Sequence, residues 1–265
     1  MKKTTTVLLA FVLSACSQQA DNPETAAVEP VAAEPEMSVY TAAVTNASRP
    51  DADRERDAGR KPAEVLEFLG VAPGMTVLDM FSGGGYYTEI LSHTVGPEGQ
   101  VIAHSNEAYL KFVGDEFEKR YLGGRLANAQ VLMAENNQLS LAPDSLDGIM
   151  LVLSFHDMFL PASDGWPAIE IGPLLAQLHS GLRAGGFVGV IDHYAAAGAL
   201  PSETGNTTHR IDPAVVIREM TAAGFVLDGQ SDILRNPDDD YEKIVFDPEL
   251  RGKTDRFVLR FVKAE

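Results

Sequence analysis

Val77-Leu78-Asp79-Met80-Phe81-Ser82-Gly83-Gly84-Gly85-Tyr86-Tyr87-Thr88-Glu89 is the stretch on which the fold turns. An apolar strand ends beside an acid, glycines let backbone approach a ligand, and a helix starts with its positive end at that ligand. A glycine loop alone is a weak sign, and its context strengthens this one. Further strand-like runs follow Thr76–Met80, at Gln100–His104, Gln130–Met133, Gly148–Leu153 and Phe187–Asp192. Helical patterns at Tyr87–Val95, Ala108–Tyr121 and Pro173–Leu182 lie between most of them. Strand and helix in alternation predict a parallel sheet covered on both faces, and the apolar run Ile149–Leu153 fits a buried parallel strand.

Working outward, Arg49–Arg60 is densely charged and reads as a solvated helix or a lid. Pro62 can open the next helix, Val65, Leu66, Phe68 and Leu69 give it an apolar stripe, and Gly70 stops it. At the other end, Phe225–Leu234 and Arg256–Val262 look like two strands separated only by the polar insertion Arg235–Lys253. An antiparallel hairpin at one edge of the sheet follows. No internal repeat is visible.

The chain has 265 residues and a formal net charge of −17, which argues against broad binding of nucleic acid. Its one cysteine, Cys16, rules out an internal disulfide framework and a cysteine-built metal site. Lys2 and Lys3, the apolar run Val7–Val12 and Leu13-Ser14-Ala15-Cys16 resemble a bacterial lipobox over residues 1–16. The resemblance implies export and lipidation of Cys16, and Ser17 after it implies sorting to the periplasmic face of the outer membrane. Residues 17–47, rich in Ala, Glu, Pro and Thr, are expected to form a disordered tether, with the folded domain over 48–265. No later run reaches the ~20 apolar residues of a membrane span, so the expected membrane contact is the lipid alone.

From about Arg49 onward the sequence resembles class I S-adenosylmethionine-dependent methyltransferases, and within them a bacterial group whose loop continues Gly-Tyr-Tyr-Thr. The resemblance rests on the loop, Pro73-Gly74-Met75, Ser154-Phe155-His156-Asp157, Ile191-Asp192-His193, His209-Arg210-Ile211-Asp212, Asn236-Pro237-Asp238-Asp239 and Thr254-Asp255-Arg256-Phe257. It implies an α/β, Rossmann-like doubly wound sheet of seven strands, mostly parallel with the C-terminal antiparallel hairpin. It also implies S-adenosylmethionine as cofactor, with Asp79 steadying the loop or meeting the methionine ammonium. Phe81, Ser82, Gly83, Gly85 and Tyr87 are carried over as loop contacts, and Glu135 and Asn136 as neighbours of the adenine.

Two positions depart from the pattern. Phe81 stands where many members have the loop's first glycine, a substitution shared with cytosine-5 DNA methyltransferases. Those attack the base with a cysteine, and Cys16 lies in the signal, so DNA cytosine methylation is excluded. Ser105 replaces the acid that holds the ribose hydroxyls, with Glu107 as a substitute within reach.

Ligands of open α/β sheets lie beyond the carboxyl ends of the strands. His156 and Asp157 follow the fourth strand, His193 ends the fifth, and His209 precedes a later helix. These four are the candidate catalytic residues, His156 first and His193 second as a general base. Each histidine alone could equally be a strand-end cap. Helical HExxH-like spacing is absent, and no metal is expected. Asp238-Asp239-Asp240 lacks the pattern of a calcium loop and reads as a solvated turn, and Trp166 reads as packing.

Three readings follow: methyl transfer to a small molecule, a repurposed ligand-binding lipoprotein on the same fold, and a metal-dependent hydrolase using the His/Asp rim. The loop favours the first. Export stands against it, since S-adenosylmethionine is made in the cytoplasm, and the missing ribose acid at Ser105 favours the second. The oligomeric state and the methyl acceptor stay open at this point.

Overall fold

The computed structural model describes residues 37–121, 124–163 and 165–264. The expected signal, Cys16 and most of the tether lie outside these residues. A compact unit begins at Met37, so the tether expected over 17–47 gives way to folded chain before its predicted end. Helix α1 (Val39–Val44) is the reason: Ser38 caps it by accepting from the Thr41 amide at 3.2 Å, and Ala43 is buried. The domain therefore starts at 37 rather than 48.

Helices α2 (Asp51–Arg60) and α3 (Pro62–Leu69) lead into β1 (Thr76–Met80), and α4 (Tyr86–Val95) leads from the glycine loop to β2 (Gln100–Ser105). The single helix expected over Ala108–Tyr121 is two, α5 (Glu107–Val113) and α6 (Asp115–Tyr121), because Gly114 takes φ +54° and breaks the run. Strands β3 (Ala129–Met133) and β4 (Leu146–Val152) follow, then a short 3-10 turn at His156–Phe159, α7 (Ile171–Gly181) and β5 (Leu182–His193). Helices α8 (Pro201–Thr208) and α9 (Pro213–Ala222) precede β6 (Phe225–Ser231) and β7 (Arg256–Lys263).

The seven strands run in the order β3-β2-β1-β4-β5-β7-β6. All pairings among β1 to β5 are parallel, and β7 pairs antiparallel with both β5 and β6. The expected C-terminal hairpin is present, with its second strand inserted inside the first. Alternation along the central strands feeds two cores. Leu78, Met80, Ile149 and Leu151 join the cluster containing α7 and α9 residues. Val77 and Met150 join the cluster with Leu66, Leu69, Ile90 and Leu91. The order reverses between β1 and β4, which places a crevice at their carboxyl ends. Among the described residues, no helix is long and apolar enough to cross a membrane.

The charged segment before α3 is not merely solvated. Arg49 is buried and pairs with Asp57 through both terminal nitrogens at 2.7 and 2.8 Å, and Asp57 also accepts from the Tyr86 hydroxyl. Asp53 is buried too and pairs with Arg120 at 2.6 Å.

Candidate active site

Strand β1 delivers Asp79 into a buried position, where its carboxylate accepts from Thr88 Oγ1 at 2.6 Å. Burial pushes its pKa up to about 6. The bond ties the strand end to the first turn of α4, so Asp79 steadies the loop. Phe81 holds φ +57°, a conformation that costs a side-chain-bearing residue about 1–2 kcal/mol. Packing offsets that cost: its ring stacks on Tyr109 at 4.8 Å between centroids and meets His104 edge-on at 5.3 Å. Ser82 donates its amide to the His104 carbonyl at 2.9 Å.

Helix α6 lies against the loop. The Tyr121 hydroxyl is 3.1 Å from Ser82 Oγ and 2.9 Å from Thr88 Oγ1, and Arg120 Nε donates to the Gly84 carbonyl at 2.9 Å. A Cβ at Gly85 would stand 2.6 Å from the Tyr121 hydroxyl, and one at Gly84 would stand 2.5 Å from Glu116. Gly83, at φ +55°, has no such neighbour within 4 Å and is the loop residue left open to approach. Tyr87, expected as a loop contact, is instead a buried member of the second core cluster.

At the end of β2, His104 is fully buried and neutral, its pKa lowered to about 4 by burial. Ser105 is fully buried and its Oγ has no partner. Asn106 caps α5 through the Tyr109 amide at 2.9 Å and donates to Asn136 Oδ1 at 2.7 Å. Glu107 and Glu135 are exposed and line one pocket together with Lys111. The residues carried over for ribose and adenine therefore gather around one strand end.

Across the crevice, the chain leaves β4 through Leu153 at φ +55° and enters the 3-10 turn. His156 is clamped by Asp192 from β5: its amide donates to Asp192 Oδ2 at 3.0 Å and its Nδ1 lies 2.8 Å from Oδ1. Its Nε2 is 3.2 Å from His209 Nδ1 and 3.2 Å from Asp157 Oδ1. Asp157 accepts from the Tyr109 hydroxyl at 2.6 Å, and His193 Nδ1 lies 2.7 Å from Thr254 Oγ1. The three histidines converge, with ring centroids 5.2 Å apart for His156 and His209 and 6.4 Å for His156 and His193.

Their charges differ. Burial works against a proton on His156, but Asp192, by charge and hydrogen bond, and then Asp157 outweigh it and raise its pKa to about 9. His209 falls to about 4 through burial and the neighbouring His156 charge. Burial, then His156 and nearby arginines, hold His193 well below the usual range. At neutral pH His156 is thus an imidazolium and the other two are neutral. The neutral imidazoles of this group are therefore His193 and His209, whereas the sequence puts His156 first as a general base. His156, Asp157 and His209 offer donor atoms within 4.8 Å of one another, a span a metal could bridge, and the proton shared by the two imidazoles satisfies the same geometry.

These groups face a cavity of ≈ 510 Å³ walled by Tyr109, Phe112, Leu153, Trp166 and Phe246. Among the described residues, four buried side-chain atoms lack a hydrogen-bond partner: Arg49 Nε, Ser105 Oγ at the end of β2, Ser154 Oγ just after β4, and Trp166 Nε1, whose residue lines this cavity. Buried polar atoms are rarely left unpaired, so Trp166 Nε1 fits a polar ligand held in the cavity. The loop itself leaves Gly83 open to close backbone approach. Asp192, Tyr109 and Thr254 were not among the expected site residues. Asp192 ends a strand beside His193, which was a usable signal; Tyr109 and Thr254 reach the rim only through space.

A family model for protein-L-isoaspartate(D-aspartate) O-methyltransferase matches residues 39–113. The ubiquinone/menaquinone biosynthesis C-methyltransferase of Shewanella sediminis is 35% identical over 82 residues, covering 29% of this chain and 33% of its own length. The chain thus spans about a third of the length of such curated relatives. Among solved structures, an S-adenosylmethionine-dependent methyltransferase from Aquifex aeolicus superposes with TM-score 0.58 and 20% identity over 81% of this chain and 96% of its own. The cyclase SpnF superposes at TM-score 0.50 with 16% identity, over 80% of this chain and 82% of its own. Sheet order, glycine loop and these likenesses agree: the chain has the class I S-adenosylmethionine-dependent methyltransferase fold.

Proposed function

We propose that the protein is an S-adenosylmethionine-dependent methyltransferase acting on a small molecule in the cavity beside His156, His193 and His209. The observation that carries this reading is the shared edge of the sheet: the glycine loop with its open Gly83 follows the carboxyl end of β1, and the cavity of small-molecule size is lined by His156 after β4 and His193 at the end of β5. The cofactor would supply an electrophilic methyl group on a sulfonium. Ser105 and the carboxylates of Glu107 and Glu135 would hold its nucleoside, and the loop around Gly83 its amino-acid end. His193 and His209, both neutral, are placed to take the proton of an oxygen or nitrogen nucleophile. The His156 imidazolium, fixed by Asp192, stabilises negative charge that develops on that nucleophile. The apolar wall excludes water from the reacting atoms.

Cys16 lipidation and a periplasmic outer-membrane location belong to the same proposal, supported by the N-terminal sequence. A repurposed, non-methylating binder is the second reading. It draws support from Ser105 in the ribose position and from α6 lying on the loop, and the cyclase likeness fits a fold open to other reactions.

Calorimetric titration of the full chain with S-adenosylmethionine and S-adenosylhomocysteine separates the two. The expected result is micromolar binding, weakened at least about tenfold in Gly83→Arg, whose side chain would fill the open approach. A folded protein that binds neither compound would end the methyltransferase reading.

A further inference from the structure

A second cavity, of ≈ 710 Å³, lies between the end of α2 and the chain entering β7. Arg56, Arg60, Arg251, Lys253 and Arg256 line it, with exposed Glu55 as the sole carboxylate among the lining residues. The chain carries 38 acidic residues against 21 lysines and arginines, so five cations around one cavity run against its composition.

Pairing elsewhere sharpens the anomaly. Arg49, Arg120, Arg210 and Arg235 each engage a carboxylate: Asp57, Asp53, Asp239 and Asp255 respectively. Arg56 also has one, Asp53. Arg256 is buried and donates only to carbonyls, those of Gly59 at 2.6 Å, Thr254 at 3.3 Å and Gly252 at 3.5 Å. The Arg60 guanidinium stacks over Tyr86 at 4.5 Å and, among the described residues, makes no side-chain hydrogen bond or ion pair. Burial and a like-charged neighbour lower the pKa of both, Arg56 acting on Arg60 and Arg60 on Arg256. Guanidinium groups held in this way lack the anion that would complete them.

The cavity is also continuous in its walls with the histidine cavity. Leu153, His193, Val245 and Phe246 line both. None of the glycine-loop residues lines either one.

We propose that the arginine-lined cavity holds the carboxylate or phosphate group of the molecule that reacts at the histidines, so that the methyl acceptor is a small anion. The assignment of that molecule as acceptor rests on the function proposed above. Arg60 and Arg256 fix one end, and the other end reaches His193 across the shared wall. A carboxylate could also come from the amino-acid end of the cofactor, and the test distinguishes the two.

The test measures melting of the full chain in inorganic phosphate and in sodium chloride of equal ionic strength. The expected result is a higher Tm in phosphate for the wild type, and loss of that rise in Arg60→Gln, with part retained in Arg60→Lys. Arg251→Gln, changed at an exposed position, repeats the loss in smaller degree. Absence of a phosphate effect in the wild type, or an equal effect in Arg60→Gln, overturns the proposal. S-adenosylhomocysteine and 5′-methylthioadenosine, which lacks the amino-acid end, are titrated in parallel. Unchanged affinity for both in Arg60→Gln supports an acceptor anion. A loss of about tenfold or more for the first alone, the size expected for a charge-assisted hydrogen bond, assigns the carboxylate to the cofactor and overturns the acceptor assignment. Failure of the wild type to bind S-adenosylhomocysteine is a separate result: it removes methyl transfer and leaves the anion site to be judged on phosphate alone.

Discussion

The two sides of the crevice treat buried charge in opposite ways. On the α6 side the arginines meet carboxylates: Arg120 bonds Glu89 and Asp53, and Arg125 bonds both Glu89 oxygens at 2.5 Å. On the β4–β5 side one imidazolium sits between two carboxylates while Arg60 and Arg256 have none. A closed network fixes structure, since its members satisfy one another. An open one has capacity left for a ligand, and its cost falls on the folded state until something binds.

The sharpest way to break this contrast is on the closed side. Glu89→Gln leaves Arg120 and Arg125 without their shared charge and is expected to cost about 3–5 kcal/mol in urea unfolding at neutral pH. The same group sets an acid limit. Burial alone would raise its pKa, but His93, Arg125 and Arg120 bring it down to about 2. Its contribution is therefore present above the ordinary value near 4.5 and is lost as pH falls from there toward 2. Unfolding at stepped pH should show that loss in the wild type and not in Glu89→Gln.

Asp192→Asn probes the open side, where the sign reverses. With the folded-state pKa of His156 raised to about 9, its stabilisation is complete below 6.5 and disappears as pH rises through 9. The variant should be destabilised by roughly 1–3 kcal/mol at pH 6 and converge on the wild type near pH 10. A difference independent of pH would show that Asp192 acts as a plain hydrogen-bond partner. The smallest effect is expected at Arg60. Without ligand, Arg60→Gln trades a stacked but unpaired cation for a neutral side chain, and stability should move by less than about 1 kcal/mol. A large loss there would place Arg60 in the closed class.

The same division explains what could be read from the sequence. Strand periodicity is local, and all seven strands stand close to where apolar runs placed them, the hairpin included. The glycine loop was legible for the same reason, since strand, turn and helix are consecutive. The break at Gly114 was missed because a helical pattern continues through it on both sides. The helix at Val39–Val44 was missed because a short Ala- and Thr-bearing segment after a polar stretch gives little periodic signal. At the site, His156 and His193 could be named from strand ends and His209 from its place before a helix, but their charges could not. Those depend on Asp192 beneath His156 and on burial. The pairing of Arg256 with the Gly59 carbonyl joins opposite ends of the chain, so no window of sequence contains the arginine cavity.

Trp166 is the single tryptophan of the chain, and it stands in the wall of the histidine cavity, 4.9 Å from Tyr109 and 5.7 Å from Phe112 between ring centroids, with its indole N–H unpaired. Indole emission therefore originates at one place, the place where a reactant would lie. A molecule that accepts that N–H or displaces solvent from the ring changes the colour and intensity of the light, so the protein carries its own optical gauge of occupancy, free of any label.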